Sequence, residues 1–227
     1  MITRVLRSTA ANASSGRPAG DTDASMATGH PAGKRTPPVL GVVLAGGRGS
    51  RIGGPKATVE LGGRPLIDYP LAALAAAGID AVVVAKSHST LPPLEAPVWI
   101  EPPEPSHPLS GILAAIRRSR RRVLAVGCDM PFLSGELLSW LAGLPGRLVV
   151  PVTGGHLQPL LACYEASLEP PLTRALERGE PLHRALAELD GCLVTEEEIE
   201  RFGAPRRLLF NVNTPEDLAI AECMLTA

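Results

Sequence analysis

Short apolar runs rich in valine alternate along this chain with segments whose apolar residues recur at helical spacing. The apolar runs predict strands over residues 39–44, 79–85, 97–100, 122–127, 147–152, 160–164 and 207–212. The helical spacing predicts helices over residues 65–77, 109–118, 134–142, 168–178 and 182–189, and a final helix capped by Thr214. Strands that are apolar on both faces are typical of a parallel sheet covered by helices. The alternation therefore predicts an α/β, Rossmann-like fold: a mostly parallel twisted sheet flanked by helices.

Composition divides the chain near residue 38. Residues 1–38 are mostly small and polar and show no sustained apolar period, which predicts a disordered N-terminal tail. Residues 39–227 carry the alternating pattern. Since 45% of the 227 residues are apolar, this second part can bury a sizeable core and is predicted to form one domain.

Charge and cysteine usage narrow the function classes. The 22 basic residues nearly balance the 23 acidic ones and aromatic residues make up only 3%, so no nucleic-acid-binding surface is expected. No apolar run approaches the roughly 18 residues that span a membrane, so no membrane association is expected. Cys128, Cys163, Cys192 and Cys223 are far apart, which predicts four buried free thiols in a reducing cytoplasm rather than a zinc or disulfide framework.

A glycine-rich segment follows the first predicted strand. It reads LAGGRGSRIGGPK from Leu44 to Lys56 and contains five glycines and three cations, Arg48, Arg51 and Lys56. Glycines let the backbone approach a polyanion closely, and the cations neutralise phosphate charge. The segment matches neither the P-loop nor the dinucleotide-binding pattern. A flexible surface turn is the competing interpretation, which we disfavour because the cations and glycines directly follow a buried strand.

This segment resembles the signature L-A-G-G-x-x-x-R-x-G-x-x-K of the molybdenum cofactor guanylyltransferase (MobA) family of nucleotidyltransferases, and every specified position matches. The resemblance extends over about residues 39–224 and implies a fold of the nucleotide-diphospho-sugar transferase type. It also implies a set of nucleotide-binding residues, namely Leu44, Ala45, Gly46, Gly47, Lys56, Gly111 and Asp129.

Two later motifs resemble the family at positions suited to a metal ion. Asp129 lies in a C-D-x-P motif after a predicted strand, where a carboxylate suits Mg²⁺; a capped turn before Pro131 is the plainer alternative. Asn213 lies in a stretch that resembles N-x-N-T-P-E-D, and by that resemblance we favour it as a second metal ligand. Turn chemistry beside the final helix is nearly as good an explanation of Asn213. Mg²⁺ is thus the expected cofactor.

Other segments resemble the family less completely. Gly111 lies in a P-L-x-G-I motif whose backbone faces the nucleotide in the family, and His156 precedes a strand that lines the acceptor side. His107 stands where relatives often have glycine. The acidic residue expected after the third strand, which would contact the base, is present only if Glu101 or Glu104 takes that role.

The resemblance implies transfer of GMP from GTP to the phosphate of molybdopterin, with release of pyrophosphate. Lys56, Arg51 and Asp129 are the implied catalytic residues, and Gly46-Gly47 resembles the guanylyl branch, because the cytidylyl branch typically has alanine then glycine there. The alternatives are a molybdopterin cytidylyltransferase, a guanylyltransferase for another phosphate acceptor, and a non-catalytic nucleotide-binding homologue. Partner proteins that deliver molybdopterin or receive the product, the molybdoenzymes, are also expected.

Overall fold

The computed structural model describes residues 39–47 and 51–226; the predicted tail and Arg48 lie outside the described residues. The strands are β1 (Leu40–Leu44), β2 (Glu60–Leu61), β3 (Arg64–Pro65), β4 (Ala81–Ala85), β5 (Val98–Ile100), β6 (Val123–Gly127), β7 (Leu148–Thr153), β8 (His156–Leu157), β9 (Leu161–Tyr164) and β10 (Cys192–Val194). The α-helices are α1 (Asp68–Ala76), α2 (Pro108–Ser119), α3 (Gly135–Gly143), α4 (Glu169–Glu177), α5 (Leu182–Ala187), α6 (Glu196–Glu200), α7 (Pro205–Leu208) and α8 (Pro215–Thr226). Lys56–Thr58 and Ala166–Leu168 form 3₁₀ turns.

The main sheet has the strand order β10-β7-β9-β6-β1-β4-β5, with β8 paired to β7. Strand β1 lies between β6 and β4 and is parallel to both, and β4 is parallel to β5. Strand β9 runs antiparallel to its neighbours β6 and β7, whereas β10 is parallel to β7. The prediction of an α/β fold with a mostly parallel sheet is confirmed. It follows that β1, β4, β6, β7 and β10 all end at the same edge of the sheet.

Helices cover both faces of the sheet, which explains why its strands are apolar throughout. Val42 packs with α2 and α4 in one core cluster, and its neighbour Val43 packs with α1 and α3 in the other; neither is exposed to solvent. A third, smaller cluster joins α8 to the β2–β3 hairpin through Leu61 and Ala221. Among the described residues, no helix is both long and apolar enough to cross a membrane.

The predicted helix boundaries are set by the residues that the sequence indicated. Gly78 follows α1 with φ of 67°, a left-handed conformation that glycine adopts without strain. The Ser134 side chain accepts a hydrogen bond from Leu137 N at 3.2 Å at the start of α3. The Thr214 side chain likewise accepts one from Asp217 N at 3.2 Å at the start of α8.

The predicted strand over residues 207–212 is wrong. The chain there forms helix α7 and then an irregular segment from Leu209 to Asn213. Pro205 at the first position of α7 fixes a φ compatible with a helix. The apolar residues that suggested a strand instead pack into separate clusters, with Leu208 and Leu209 in one and Phe210 in another.

Two further expectations need correction. Cys128 and Cys163 are buried as predicted, but Cys192 is only half-buried and Cys223 is exposed on α8. The β2–β3 hairpin, β10 and α6 were not predicted from the sequence, and these elements are only two to five residues long. Such short elements carry too few residues for a period to be recognised.

Candidate active site

A cleft opens at the carboxyl edge of the parallel strands, where open α/β sheets bind ligands. The turn after β1 is fixed by two hydrogen bonds that continue the sheet: Ala45 N donates to Val84 O at 2.9 Å, and Cys128 N donates to Leu44 O at 3.3 Å. The structure brings most of the predicted nucleotide-binding residues together around this cleft, namely Leu44, Gly46, Gly47, Lys56, Gly111 and Asp129.

The Lys56 ammonium group contacts both of the predicted metal-binding residues. It donates to Asp129 Oδ2 at 2.6 Å and to Asn213 Oδ1 at 2.5 Å. Asp129 follows β6, and its carbonyl oxygen accepts a hydrogen bond from Val212 N at 2.9 Å, which brings the 209–213 segment to the cleft. The carboxylate and the amide oxygen therefore converge on one positive charge.

The donor set at this point fits a magnesium ion. Carboxylate and amide oxygens are hard ligands, and Mg²⁺ is commonly held by one or two protein groups plus substrate phosphates and water. The Lys56 ammonium marks where Asp129 and Asn213 offer oxygen atoms to a cation. Within the ranges that the structure describes, no cluster of three histidine, cysteine or acidic side chains offers an all-protein metal cage.

The cleft also contains a buried charge pair that the sequence did not predict. The side chains of Lys86 and Glu101 are 4% and 7% exposed, and Lys86 Nζ lies 3.6 Å from Glu101 Oε1. Glu101 Oε2 is buried and has no hydrogen-bond partner among the residues that the structure describes. Burial raises the pKa of Glu101, and the neighbouring Lys86 partly offsets that rise. An unpaired buried oxygen costs free energy unless a ligand satisfies it.

Glycines make room for both acidic side chains of the cleft. A Cβ atom at Gly46 would lie 2.6 Å from Glu101 Oε1, and one at Gly111 would lie 3.3 Å from Glu101 Oε2. A Cβ atom at Gly127 would lie 2.5 Å from Asp129 Oδ1. These contacts give the glycines a steric role in addition to the backbone approach predicted from the sequence.

His107 lines the cleft at the start of α2. Its Nδ1 accepts a hydrogen bond from Leu109 N at 3.1 Å and so caps the helix. Burial lowers the pKa of His107. An imidazole whose Nδ1 accepts a hydrogen bond is neutral, with its proton on Nε2. In the sequence His107 is only a departure from the family pattern, whereas in the structure it is part of the cleft wall.

The remaining predicted residues lie elsewhere. Ala45 is buried beneath the turn, and Arg51 and His156 are exposed and do not line the cleft. Of the two candidate acidic residues after the third strand, Glu101 lines the cleft, whereas the Glu104 side chain is exposed and accepts a hydrogen bond from Ser106 N.

Cys128 lines the cleft but is not a suitable nucleophile. Burial and the neighbouring Asp129 raise the pKa of its thiol to about 12. The reactive form of cysteine is the thiolate, so this thiol is unreactive at neutral pH. The cleft therefore offers charged and polar groups for binding, among them Lys56 and Asp129, rather than a reactive thiol.

Comparison with known proteins agrees with this geometry. Residues 41–216 match the family model described as a MobA-like NTP transferase domain. The molybdenum cofactor guanylyltransferase of Cereibacter sphaeroides is 33% identical over 196 residues, which cover 82% of this chain and 97% of that protein. The enzyme of the same name from Sinorhizobium fredii is 31% identical and covers 80% and 89%. The crystal structure of molybdopterin-guanine dinucleotide biosynthesis protein A from Archaeoglobus fulgidus is similar with a TM-score of 0.71 and 28% identity over 83% of this chain and 99% of that one.

Proposed function

Because this chain belongs to the family of MobA-like NTP transferases, we propose that it transfers GMP from GTP to the terminal phosphate of molybdopterin. A phosphate oxygen of molybdopterin attacks the α-phosphorus of GTP, and the bond from that phosphorus to the bridging oxygen of the β-phosphate breaks. Pyrophosphate leaves with the electron pair of that bond. The product is molybdopterin guanine dinucleotide.

One observation carries this proposal: a single cleft holds two different groups of side chains. One is the group of Lys56, Asp129 and Asn213, and the other is the buried Lys86–Glu101 pair, whose Glu101 Oε2 has no hydrogen-bond partner among the described residues. Both groups line or border the same cleft. A nucleoside triphosphate can use both, since its phosphates need cations and its base carries hydrogen-bond donors.

Around Lys56, the protein neutralises charge and positions the phosphates rather than supplying a nucleophile. The Lys56 ammonium and the backbone N–H groups of the Gly46–Gly47 turn stabilise the negative charge that builds up on the transferred and leaving phosphates. Asp129 and Asn213 would hold Mg²⁺, which when bound supplies further positive charge and orients the phosphates.

Glu101 recognises the base by hydrogen bonding. Guanine presents two adjacent donors, N1–H and the 2-amino group, and a carboxylate accepts both at once. Cytosine presents one amino group followed along the same edge by two acceptors, N3 and O2, which a carboxylate repels. The buried Glu101 oxygen therefore favours GTP over CTP, because a site built to hydrogen-bond a donor rejects a ligand that lacks it.

A nucleotide screen with molybdopterin tests the proposal. Purified protein is incubated with molybdopterin, Mg²⁺ and GTP, CTP or ATP, and pyrophosphate release is measured. We expect release with GTP well above that with CTP or ATP. Turnover with CTP but not GTP would identify a cytidylyltransferase, and tight GTP binding without pyrophosphate release would identify a non-catalytic homologue.

A further inference from the structure

Lys86 is a buried lysine that the proposed chemistry does not use. It follows the last residue of β4, and its side chain is 4% exposed. Its ammonium group donates to Pro102 O at 2.6 Å and to Pro105 O at 3.3 Å, and it faces Glu101 Oε1 at 3.6 Å. Two of the three donors of the ammonium group therefore bond to backbone carbonyl oxygens, and the carboxylate lies within ion-pair distance.

All three contacts of the Lys86 ammonium group lie in the segment from Glu101 to Pro105, which joins β5 to α2. The ammonium thus fixes the path of this segment as well as one oxygen of the carboxylate. Glu101 Oε1 is further confined by Gly46, where a Cβ atom would lie only 2.6 Å from it. With Oε1 held from two sides, the unpartnered Oε2 has a fixed direction beside Gly111.

We propose that Lys86 is the residue that positions Glu101 for recognition of the purine base, and so determines nucleotide specificity through that carboxylate. This inference rests on the proposed function. Lys86 lines the cleft, but its ammonium group donates to the carbonyl oxygens of Pro102 and Pro105 and faces Glu101 Oε1. Its effect on the base therefore passes through Glu101.

The electrostatics of the pair support this role. Burial raises the pKa of Glu101 and Lys86 opposes that rise, so the lysine favours the ionised carboxylate. Only the ionised form offers both oxygens as acceptors to the two donors of guanine. A carboxyl group that carried its own proton would pair with only one of them.

The chain offers a matched control at the opposite edge of the sheet. Arg122, 7% exposed at the start of β6, pairs with Glu165 Oε1 at 3.2 Å and donates to Leu144 O at 2.8 Å. It therefore combines a buried cation, paired with a half-buried carboxylate, and a backbone carbonyl contact, which resembles the environment of Lys86. Replacing it tests what the loss of such a pair does to stability alone.

The experiment compares the affinities for GTP and inosine triphosphate, which lacks the 2-amino group, by equilibrium binding. The variants are Lys86→Gln, Glu101→Gln, the double variant and Arg122→Gln. Glutamine at position 86 keeps N–H donors for the two carbonyl oxygens but loses the charge. The double variant removes both buried charges, so it leaves no unpaired charge in the core and is expected to fold. We expect the wild-type protein to prefer GTP by roughly tenfold to a hundredfold, the effect of one charge-assisted hydrogen bond.

Lys86→Gln should lower the preference for GTP to nearly that of Glu101→Gln. The double variant should show the same preference as Glu101→Gln alone. Arg122→Gln should keep the wild-type preference even if its melting temperature falls. Wild-type preference in Lys86→Gln, or losses that add in the double variant, would overturn the inference while leaving the GTP-dependent release of pyrophosphate intact. If the wild-type protein releases pyrophosphate from CTP but not GTP, the proposed function itself has failed.

Discussion

Asp129 is the residue on which the phosphate end of the cleft depends, because it holds both Lys56 and the 209–213 segment. Asp129→Asn keeps the size of the side chain and removes its charge. We expect the loss of several kcal/mol of transition-state stabilisation, or roughly two to four decades in rate. The measurement is pyrophosphate release against Mg²⁺ concentration, with circular dichroism to confirm the fold.

The control for this variant is Asp80→Asn, whose side chain is 84% exposed at the amino end of β4. It removes one carboxylate without touching the cleft and should leave turnover unchanged. A folded Asp129→Asn protein with near-normal turnover and the same Mg²⁺ dependence would rule out the proposed metal site.

Position 46 is predicted to tolerate only glycine, because any side chain there would clash with Glu101. In Gly46→Ala the new Cβ would lie 2.6 Å from Glu101 Oε1, and that oxygen is held by Lys86. The carboxylate must shift, so we expect the affinity for GTP to fall by about tenfold, as overpacking by one methyl group costs about 1–3 kcal/mol. Titration with GTP and CTP measures the change.

Gly143→Ala is the matched control, because a Cβ at this exposed end of α3 meets no atom of the described residues within 4 Å and the backbone is not left-handed. It should bind GTP as the wild-type protein does. If Gly46→Ala also keeps the wild-type ratio of GTP to CTP affinity, the contact between Gly46 and Glu101 does not determine specificity.

At the scale of elements, the cap of helix α2 links the cleft to pH. The folded protein lowers the pKa of His107, so in a window just below about pH 6.5 the unfolded chain binds a proton that the folded protein does not. Stability contributed by this group is therefore present above that window and falls as the pH decreases, by at most about 1.4 kcal/mol per pH unit.

His107→Asn removes this titration and keeps a good helix cap. We expect the wild-type protein to lose more thermal stability between pH 7.5 and pH 5.5 than the variant does. His183→Asn, which replaces an exposed histidine on α5, should behave like the wild-type protein. Equal losses in the wild-type protein and His107→Asn would show that the half-buried imidazole does not resist protonation.

The elements that the sequence predicted correctly are those whose signal is local. The buried strands β1, β4 and β6 and the caps Ser134 and Thr214 follow from apolar runs and from side chains that bond nearby N–H groups. The prediction for residues 207–212 failed because their apolar side chains satisfy three-dimensional clusters rather than a sheet. The backbone hydrogen bond of this segment to Asp129 joins residues 83 positions apart, a contact that no local pattern contains.

At the scale of the whole molecule, the predicted site residues meet because β1 and β6 end at the same edge of the sheet. Parallel topology and the resemblance to the family together predicted the grouping of Gly46, Lys56 and Asp129. The Lys86–Glu101 pair was harder to predict, because the two residues are brought together only by the pairing of β4 with β5. A buried lysine is not distinguishable in sequence from an exposed one, so its role became visible only in the fold.

Residues 1–37 precede the described fold, and their contribution to it can be tested directly. Their small and polar composition offers too little apolar surface to pack on the domain. Removing residues 1–37 should leave the melting temperature within a few degrees of that of the full chain and leave GTP-dependent pyrophosphate release nearly unchanged. Thermal unfolding and turnover of the full and shortened chains, measured side by side, check both expectations. A larger fall in melting temperature would show that the segment docks on the domain, and a fall in turnover alone would show that it contributes to substrate binding.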